Sequence, residues 1–188
     1  EVTAKIFDLV RELLTEKRLL LKSGTIVDAT IISAPSSTKN ASKTRDPEMR
    51  STRKGNQWFF GMKLHIGTDT KGRVHSVTAT DAATADITEI DNLLHGEESA
   101  IYGDRAYWKE DDRRICGALG IRYRVNRRGT SSNPLGEYWK QINRSRSRVR
   151  AQVEHPFLTV KRLWGFAKTR YRGLAKNLAR AQTMFALT

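Results

Sequence analysis

The spacing of hydrophobic and polar residues predicts strands in the first half of the chain, behind one leading helix. Apolar side chains recur at helical intervals through residues 1–22, and a Ser-Gly pair at 23–24 interrupts that pattern. Three β-branched or alternating segments then predict strands at 25–33, 58–68 and 73–80. A turn sequence, Asp-Thr-Lys-Gly, joins the last two. We therefore expect the three strands to form an antiparallel meander.

The second half of the chain alternates short helical and strand patterns. Polar stretches at 34–56, rich in Ser, Thr and Lys, and at 126–137, basic and rich in Gly and Ser, predict two long loops. Three paired strands followed by α/β units predict an α/β fold, with a mixed sheet and helices on both faces. The elements predicted after the meander are helix 86–94, strand 100–102, helix 108–119, strand 121–125 and a long helix from 138 onward.

The composition is that of a polar globular protein. The 188 residues are 38% hydrophobic and 29% charged, which suits one domain with a sizeable core. No run approaches the ~18 apolar residues of a membrane helix. The single cysteine, Cys116, cannot form an internal disulfide or a zinc-finger site. These features argue against a membrane span, a disulfide scaffold and a structural zinc module, and a reduced, intracellular setting is expected.

The positive charge is concentrated in the C-terminal half. Lys and Arg number 34 against 20 Asp and Glu, a formal net charge of +14. Residues 1–104 hold 14 basic and 15 acidic side chains, so residues 105–188 hold the remaining 20 basic and 5 acidic, a net +15. A surface of this sign favours a polyanion, most simply nucleic acid. The alternatives are a solvated basic surface and a tail that binds anionic membranes.

Two acidic residues lie in or beside predicted strands, where a carboxylate needs a partner. Asp28 sits within an apolar strand and requires an ion pair, hydrogen bonds or a cation if it is buried. Alternatively, strand alternation points it to solvent. Asp104 follows a short strand in a Gly-Asp break, a common place for ligand-binding groups in α/β sheets. Its alternative roles are the N-cap of the next helix and an ion pair with Arg105.

Glu154 is the only acidic residue after Glu137, in a strongly basic helical segment. At ~100° per residue, Arg150, Glu154 and Lys161 fall within about 40° of one another on a helix, beside an apolar stripe. The alternative is an i,i+4 pair with Arg150, which contributes only a few tenths of a kcal/mol. Pro156 should bend or restart this helix, because proline removes a helical hydrogen bond.

Carboxylates on a strand, a strand end and a late helix form a set that suits hard cations. Mg²⁺ binds through a few carboxylates together with phosphate oxygens. Two such ions about 3.5–4 Å apart activate water or a 3′-hydroxyl and stabilise the leaving oxygen. The basic residues nearby would hold a polyanion that carries the phosphate. We therefore predict that Asp28, Asp104 and Glu154 converge to hold Mg²⁺, for which Mn²⁺ would substitute.

Other side chains give weaker signals. The histidines at 65, 75, 95 and 155 lack metal-ligand spacing and are expected to be structural or on the surface. Cys116 is expected in the core. The aromatic run at 58–60, Trp-Phe-Phe, is expected to belong to the core of the sheet rather than to a platform for stacking bases.

Several segments, taken in order, resemble bacterial insertion-sequence transposases. Together they are similar to the DDE transposases of the insertion sequence 5 family, within the insertion sequence 4 group, over about residues 25–180. The segments are Asp28-Ala29-Thr30, 34–39 (APSSTK), 45–49 (RDPEM), 54–58 (KGNQW), 60–67 (FGMKLHIG), 93–98 (LLHGEE) and 153–157 (VEHPF).

The resemblance implies a ribonuclease-H-like catalytic domain at 25–188, preceded at 1–24 by a linker helix from the end of a DNA-binding region. It implies that Asp28, Asp104 and Glu154 are the catalytic residues and the ligands of Mg²⁺.

The same resemblance implies residues that bind DNA. The group has a helix signature in which Tyr, Arg, Glu and Lys stand at fixed intervals. Arg150, Glu154 and Lys161 match it, whereas Ser147 stands at the tyrosine position. Arg150 and Lys161 are expected to bind DNA, and so are two neighbouring arginines, Arg148 and Arg162.

The implied function is DNA transposition in the bacterial cytoplasm, on the nucleoid. Such an enzyme hydrolyses phosphodiesters at insertion-sequence ends and joins the freed 3′-hydroxyl to target DNA. Its partner would be double-stranded DNA, on which a homodimer assembles, and no membrane is involved. The alternative is a truncated, catalytically inactive remnant that only binds DNA. A ribonuclease of the same fold is a third, weaker hypothesis.

Overall fold

A mixed sheet forms the centre of the molecule. The computed structural model describes residues 2–21, 23–41 and 43–188. Within these residues the sheet has six strands, in the order β2-β3-β1-β5-β6, with β4 also paired to β3. The strands are β1 (Thr25–Ser33), β2 (Arg50–Lys54), β3 (Gln57–Thr68), β4 (Val74–Asp81), β5 (Ala100–Tyr102) and β6 (Arg122–Tyr123).

The strand pairing confirms the predicted meander and the α/β units that follow it. β1 and β4 both pair antiparallel with β3. β5 then lies parallel to β1, and β6 lies parallel to β5. Parallel strands need a crossover, and helices between the strands supply it. The predicted mixed sheet is therefore correct, although β6 has two residues where the sequence predicted five.

The helices agree with the sequence analysis except near the C-terminus. The helices are α1 (Val2–Glu16), α2 (Ile90–Leu93), α3 (Glu110–Ala118), α4 (Glu137–Arg150), α5 (Glu154–Leu158) and α6 (Leu174–Ala186). Short 3-10 turns precede α2, α3 and α5, at Asp86–Glu89, Arg105–Tyr107 and Ala151–Val153. In the part of the chain that the structure describes, no helix is long and apolar enough to cross a membrane.

The single long C-terminal helix predicted from residue 138 is wrong; the chain forms α4, α5 and α6 instead. The predicted restart near Pro156 is confirmed, because Pro156 lies in the first turn of α5, where its missing N–H has no helical partner to lose. A π-helical segment, Thr159–Leu163, follows α5 directly. Two glycines with positive φ, Gly165 and Gly173, then bound the irregular stretch before α6.

Hydrophobic side chains pack on both faces of the sheet, as strand alternation requires. Even-numbered positions of β1 and β3, such as Ile26 and Ile66, join α1, α5 and α6 in a first core. Val27 points to the other face and packs with α2 and α3, whose Cys116 is buried as expected. Helices thus cover both faces of the sheet, and Asp28 lies on the face of the first core.

Part of the predicted 34–56 loop is a strand. Arg50–Lys54 forms β2, which pairs antiparallel with the start of β3. Its side chains are exposed or half-buried, so it has no apolar alternation for the sequence to reveal. Ordered backbone pairing with β3 is what makes this polar segment a strand.

The leading helix packs onto the rest of the molecule. Phe7 of α1 is buried in the first core. The Thr3 hydroxyl donates a hydrogen bond to Oε1 of Gln182 on α6, at 3.1 Å. A division into a linker helix at 1–24 and a catalytic domain at 25–188 stays a prediction.

Candidate active site

Asp28 is a half-buried carboxylate in the middle of the sheet. It lies in register with Ile66 of β3, on the sheet face that α4 and α5 approach. Its side chain is only 16% exposed, so strand alternation does not point it to solvent. Burial raises the pKa of Asp28 to about 6, against the opposing effects of Arg150 and of the Ala29 N–H. A carboxylate that folding makes costly to ionise is a frequent mark of a functional site.

Arg150, the last residue of α4, links the first and third predicted ligands. Its Nη1 lies 2.5 Å from Oδ2 of Asp28 and 3.9 Å from Oε1 of Glu154. The i,i+4 pair with Glu154 that the sequence suggested is therefore present, but it is the looser of the two contacts. The shorter contact, with Asp28, joins residues 122 positions apart, so helix periodicity could not have indicated it.

Asp104 lies between β5 and the following 3-10 turn. Its Oδ1 accepts a hydrogen bond from the N–H of Ala106 at 2.7 Å, so the N-cap role considered from the sequence is present. Capping leaves Oδ2 available. The charge of Asp104 also raises the pKa of Asp28, which places the two carboxylates within electrostatic reach.

Glu154 opens α5 and is 63% exposed. Its charge, like that of Asp104, contributes to the raised pKa of Asp28. Asp104 and Glu154 therefore both act electrostatically on Asp28. Asp28 is the buried member of the three, and Glu154 is the accessible one.

The basic residues predicted to bind DNA lie in different surroundings. Lys161, in the π-helical segment, is half-buried, and burial followed by the charge of Lys54 lowers its pKa while Glu154 opposes that effect. Arg148 and Arg162 are exposed. Within the described residues, no hydrogen bond or ion pair joins either arginine to the three carboxylates. Only Arg150 contacts them directly.

The surroundings of two further residues, Tyr107 and Ser147, could not be predicted from the sequence. Tyr107 is fully buried, and its hydroxyl has no hydrogen-bond partner among the described residues. Burial and the nearby charges of Asp28, Asp86 and Asp104 raise its pKa. Its position three residues after Asp104 was the only available signal. Ser147, at the tyrosine position of the helix signature, accepts a hydrogen bond from Asn126 Nδ2 at 2.9 Å and so holds the 126–137 loop against α4.

A cationic and aromatic cluster lies beside that loop. The Arg127 guanidinium stacks over Trp139 at 4.3 Å and over Trp108 at 5.4 Å from the ring centroids. The N–H of Arg127 also donates to Oδ1 of Asn143 on α4, at 3.0 Å. These contacts order a loop that the sequence analysis identified only by its charge.

Two of the histidines, His65 and His75, are structural, and His155 is exposed, in line with the expected structural or surface roles. His65 and His75 are buried, and burial lowers the pKa of each, to about 4 for His75. His75 Nε2 lies 3.2 Å from the Thr25 hydroxyl, which donates to Glu98 at 3.0 Å. Neutral, hydrogen-bonded imidazoles of this kind belong to the core.

The donor set suits a hard divalent cation, although the side chains are not arranged as a cage. Carboxylate oxygens are the ligands that Mg²⁺ prefers. Within residues 2–21, 23–41 and 43–188, however, no three His, Cys, Asp or Glu side chains are positioned to hold a metal ion. Arg150 supplies the positive charge beside Asp28 instead. A cation bound by Asp28 and Glu154 would therefore require Arg150 to move.

Comparisons with known proteins identify the family of the chain. A family model described as a transposase DDE domain matches residues 20–188. A cryo-electron microscopy structure of the simian T-cell lymphotropic virus intasome in complex with PP2A regulatory subunit B56 gamma is also similar. The identity is 18% and the TM-score 0.31, over 86% of this chain and 56% of the viral-complex chain. This chain spans little more than half the length of its counterpart.

The family match covers nearly the whole chain, and the mixed sheet with its parallel α/β units fits that type of domain. The predicted ribonuclease-H-like fold is therefore confirmed. The chain belongs to the family of transposase DDE domains.

Proposed function

We propose that this chain is the catalytic core of an insertion sequence 5 family transposase, within the insertion sequence 4 group. It would hydrolyse DNA at the ends of its element and transfer the freed 3′-hydroxyl into target DNA. The arrangement of Asp28, Arg150 and Glu154 carries the proposal. A buried carboxylate with a raised pKa, an arginine bridge and a second carboxylate lie on one sheet face, with Asp104 in electrostatic reach.

Asp28, Asp104 and Glu154 would hold Mg²⁺, with Mn²⁺ as a substitute. When bound, Mg²⁺ lowers the pKa of water and stabilises developing charge on phosphate oxygens. The protein's own residues supply the rest. Arg150, released from Asp28, would pair with a DNA phosphate, for which its guanidinium is suited. Lys161 would bind a neighbouring phosphate of the DNA backbone through its ammonium charge.

Both reactions are displacements at phosphorus. In hydrolysis, a water oxygen bonds to phosphorus, the bond to the 3′-oxygen breaks, and that oxygen leaves with a proton as a 3′-hydroxyl. In strand transfer, this 3′-hydroxyl attacks a target phosphodiester and displaces a target 3′-oxygen. The number of phosphodiester bonds is unchanged in the second reaction, so it needs no external energy source.

The partners follow from the charge and the reaction. The net +15 of residues 105–188 supports contact with double-stranded DNA at element ends and target sites. Joining two ends to one target favours a homodimer assembled on DNA. The expected location is the bacterial nucleoid, in the cytoplasm.

Cleavage by a charge-matched pair of variants tests the proposal. The substrate is a supercoiled plasmid that carries the DNA flanking the coding sequence, incubated with the 188-residue chain and Mg²⁺ or Mn²⁺. Glu154→Gln keeps the side-chain shape but loses the charge that binds a cation, so nicking should fall at least about 100-fold. Glu137→Gln is the control, because Glu137 is an exposed acid at the start of α4 and forms an ion pair with Lys140 rather than with Arg150.

The outcomes separate the hypotheses. Metal-dependent nicking by wild type and by Glu137→Gln, but not by Glu154→Gln, supports the proposed enzyme. Equal nicking by all three proteins would remove Glu154 from the site. If wild type binds DNA but never nicks it, the chain is the inactive DNA-binding remnant.

A further inference from the structure

The hairpin formed by β2 and the start of β3 projects beyond the packed core. Strands 50–54 and 57–61 are joined by a two-residue turn, in which Gly55 has a φ of +61°. The hairpin is anchored at Gly61, where the backbone of β1 approaches so closely that a Cβ would lie 2.1 Å from the Ile32 carbonyl oxygen, and at Phe60, which packs on the first core. Residues 53–58, at the tip of the hairpin, are exposed.

Trp58 is the unexpected residue of this hairpin, because the sequence analysis assigned it to the core. It is 68% exposed. Within the part of the chain that the structure describes, no ring contact, hydrogen bond or ion pair engages the Trp58 indole or the Lys54 ammonium. Single exposed hydrophobic side chains are ordinary, but a bare tryptophan beside basic and amide side chains is typical of a nucleic-acid contact.

The register shows which way Trp58 faces. Side chains alternate along a strand, so Trp58, Phe60 and Met62 share one face of β3. Ile66 belongs to that face too, and it lies directly opposite Asp28. Trp58 is thus on the same face of the sheet as the candidate active site. Arg53 is its cross-strand neighbour and stabilises the turn through hydrogen bonds to the Gly55 carbonyl and to Asn56.

The distance along β3 excludes a role for Trp58 at the reacting phosphate. Trp58 precedes Ile66 by eight residues, which at 3.4 Å per residue is about 27 Å. That length is roughly eight base pairs of B-form DNA. Lys161 is within electrostatic reach of both Glu154 and Lys54, because the charges of both act on its pKa. A DNA segment that passes Glu154 and Lys161 would therefore continue toward the hairpin.

The charge of the hairpin supports DNA as its partner. No acidic residue occurs from Met49 to Thr68, a stretch that contains Arg50, Arg53, Lys54 and Lys63. Phosphate contacts from such residues position DNA, and an aromatic ring adds stacking on bases of any sequence.

We propose that the tip of this hairpin, residues 53–58, binds the DNA that flanks the scissile phosphate, with the Trp58 indole stacked on a base and Lys54 on a phosphate. This inference rests on the proposed DNA-binding function, because it names a second contact for the same DNA. It makes the hairpin a positioning element about eight base pairs from the chemistry.

Binding by four variants of the full chain tests the inference, with a fluorescent duplex that contains an element end. Trp58→Ala should weaken binding about 5- to 100-fold, because one base-stacking contact is lost. Its salt dependence should not change, since no charge is removed. Trp58→Phe should recover most of the affinity. Lys54→Gln should reduce the salt slope by roughly 0.9, the value for one phosphate contact.

Arg114→Gln is the matched control, because Arg114 is an exposed α3 arginine held only by a 3.9 Å pair with Asp111. It should bind like wild type. DNA should also quench tryptophan fluorescence, and Trp58→Phe should remove much of that quenching. Circular dichroism should show that the variants fold, because Trp58 and Lys54 lie outside the core.

Each remaining outcome decides one question. If wild type does not bind the duplex, the proposed function itself is wrong. If wild type binds and Trp58→Ala binds equally well, only the hairpin inference is overturned. If sedimentation shows that Trp58→Ala loses self-association and keeps its DNA affinity, the hairpin is a contact between copies of the chain.

Discussion

At the scale of single residues, Asp28 shows how folding can oppose a charge that function needs. Its pKa is 3.8 in an exposed setting and about 6 in the folded protein. The folded state therefore binds a proton more tightly than the unfolded state does. The free energy of unfolding must then fall as the pH rises from about 4 to about 6, and it levels off above that range. At about 1.4 kcal/mol per pKa unit, the ionised Asp28 costs about 3 kcal/mol.

Asp28→Asn should consequently stabilise the protein in metal-free buffer. The amide keeps the acceptor for the Ala29 N–H and avoids the buried charge. We expect a gain of about 1–2 kcal/mol at pH 7.5, less than the full penalty because Arg150 loses its nearer partner, and little or no gain at pH 4. Urea unfolding of wild type and of Asp28→Asn, at pH 7.5 and at pH 4, measures this gain in the free energy of unfolding. His75 gives an opposite slope but is common to both proteins and cancels in the difference.

A stabilisation that is equal at both pH values would contradict this account, since it would come from packing rather than from charge. We expect instead that the buried charge of Asp28 lowers the stability of the folded protein while serving its activity, a trade-off that active sites often show.

The sequence identified three candidate carboxylates but did not indicate the contact that Arg150 makes with Asp28. Asp28 and Asp104 were identified because an acid in or after an apolar strand is unusual. Glu154 was identified because it is isolated among basic residues. The contact of Arg150 with Asp28 joins α4 to β1, and it depends on how a helix end meets a strand 122 residues away. Periodicity describes neighbours along one element and contains no such information.

At the scale of elements, one of the transposase-like segments has a structural explanation. α6 begins without a side-chain cap of its own, since its N-cap is Gly173. The Gly173 N–H instead donates to Asp46 at 2.7 Å, and the Leu174 N–H donates to Glu48 at 2.8 Å. The segment at 45–49, RDPEM, therefore caps a helix from more than 120 residues away. Two carboxylates also complement the positive end of the helix dipole.

Removing this cap should destabilise the protein. Asp46→Ala is expected to lower the free energy of unfolding by about 1–2 kcal/mol, the usual value of an N-cap. Asp46→Asn should lose only about 0.3–1 kcal/mol, because the acceptor stays and the charge is removed. Urea unfolding measures both. Asp8→Ala is the control, because it removes a half-exposed acid of α1 that pairs across one turn with Arg11. If Asp46→Ala and Asp8→Ala lowered the free energy of unfolding equally, the cap would contribute nothing.

The elements that the sequence missed share a physical cause. β2 is polar on both faces, so only its pairing with β3 identifies it as a strand. The end of α4 and the π-helical segment at Thr159–Leu163 interrupt a continuous helical pattern, because the chain must turn there to bring Val153, Phe157 and Val160 onto the sheet. Strands with apolar alternation were predicted well, since burial on one face imposes that alternation.

At the scale of the whole molecule, charge and chemistry are divided between the two halves of the chain and meet at one face. The nearly neutral first half supplies β1 to β5 of the sheet and two of the carboxylates. The second half, at +15, supplies α4, α5 and the third carboxylate. Binding of DNA and cleavage of DNA should therefore be separable, because most phosphate contacts do not involve the acidic residues.

The salt dependence of DNA binding measures that separation. Each phosphate that a basic side chain neutralises adds roughly 0.9 to the slope of log affinity against log salt. Lys161→Gln should flatten the slope by about that amount, whereas Lys5→Gln, an exposed change on α1, should not. Asp104→Asn should keep or raise the affinity, because it removes a negative charge beside the phosphate. Asparagine caps a helix as well as aspartate does, so the 3-10 turn should persist. Loss of binding by a folded Asp104→Asn protein would mean that Asp104 supports the DNA surface itself, and the proposed set of three carboxylates would then be wrong.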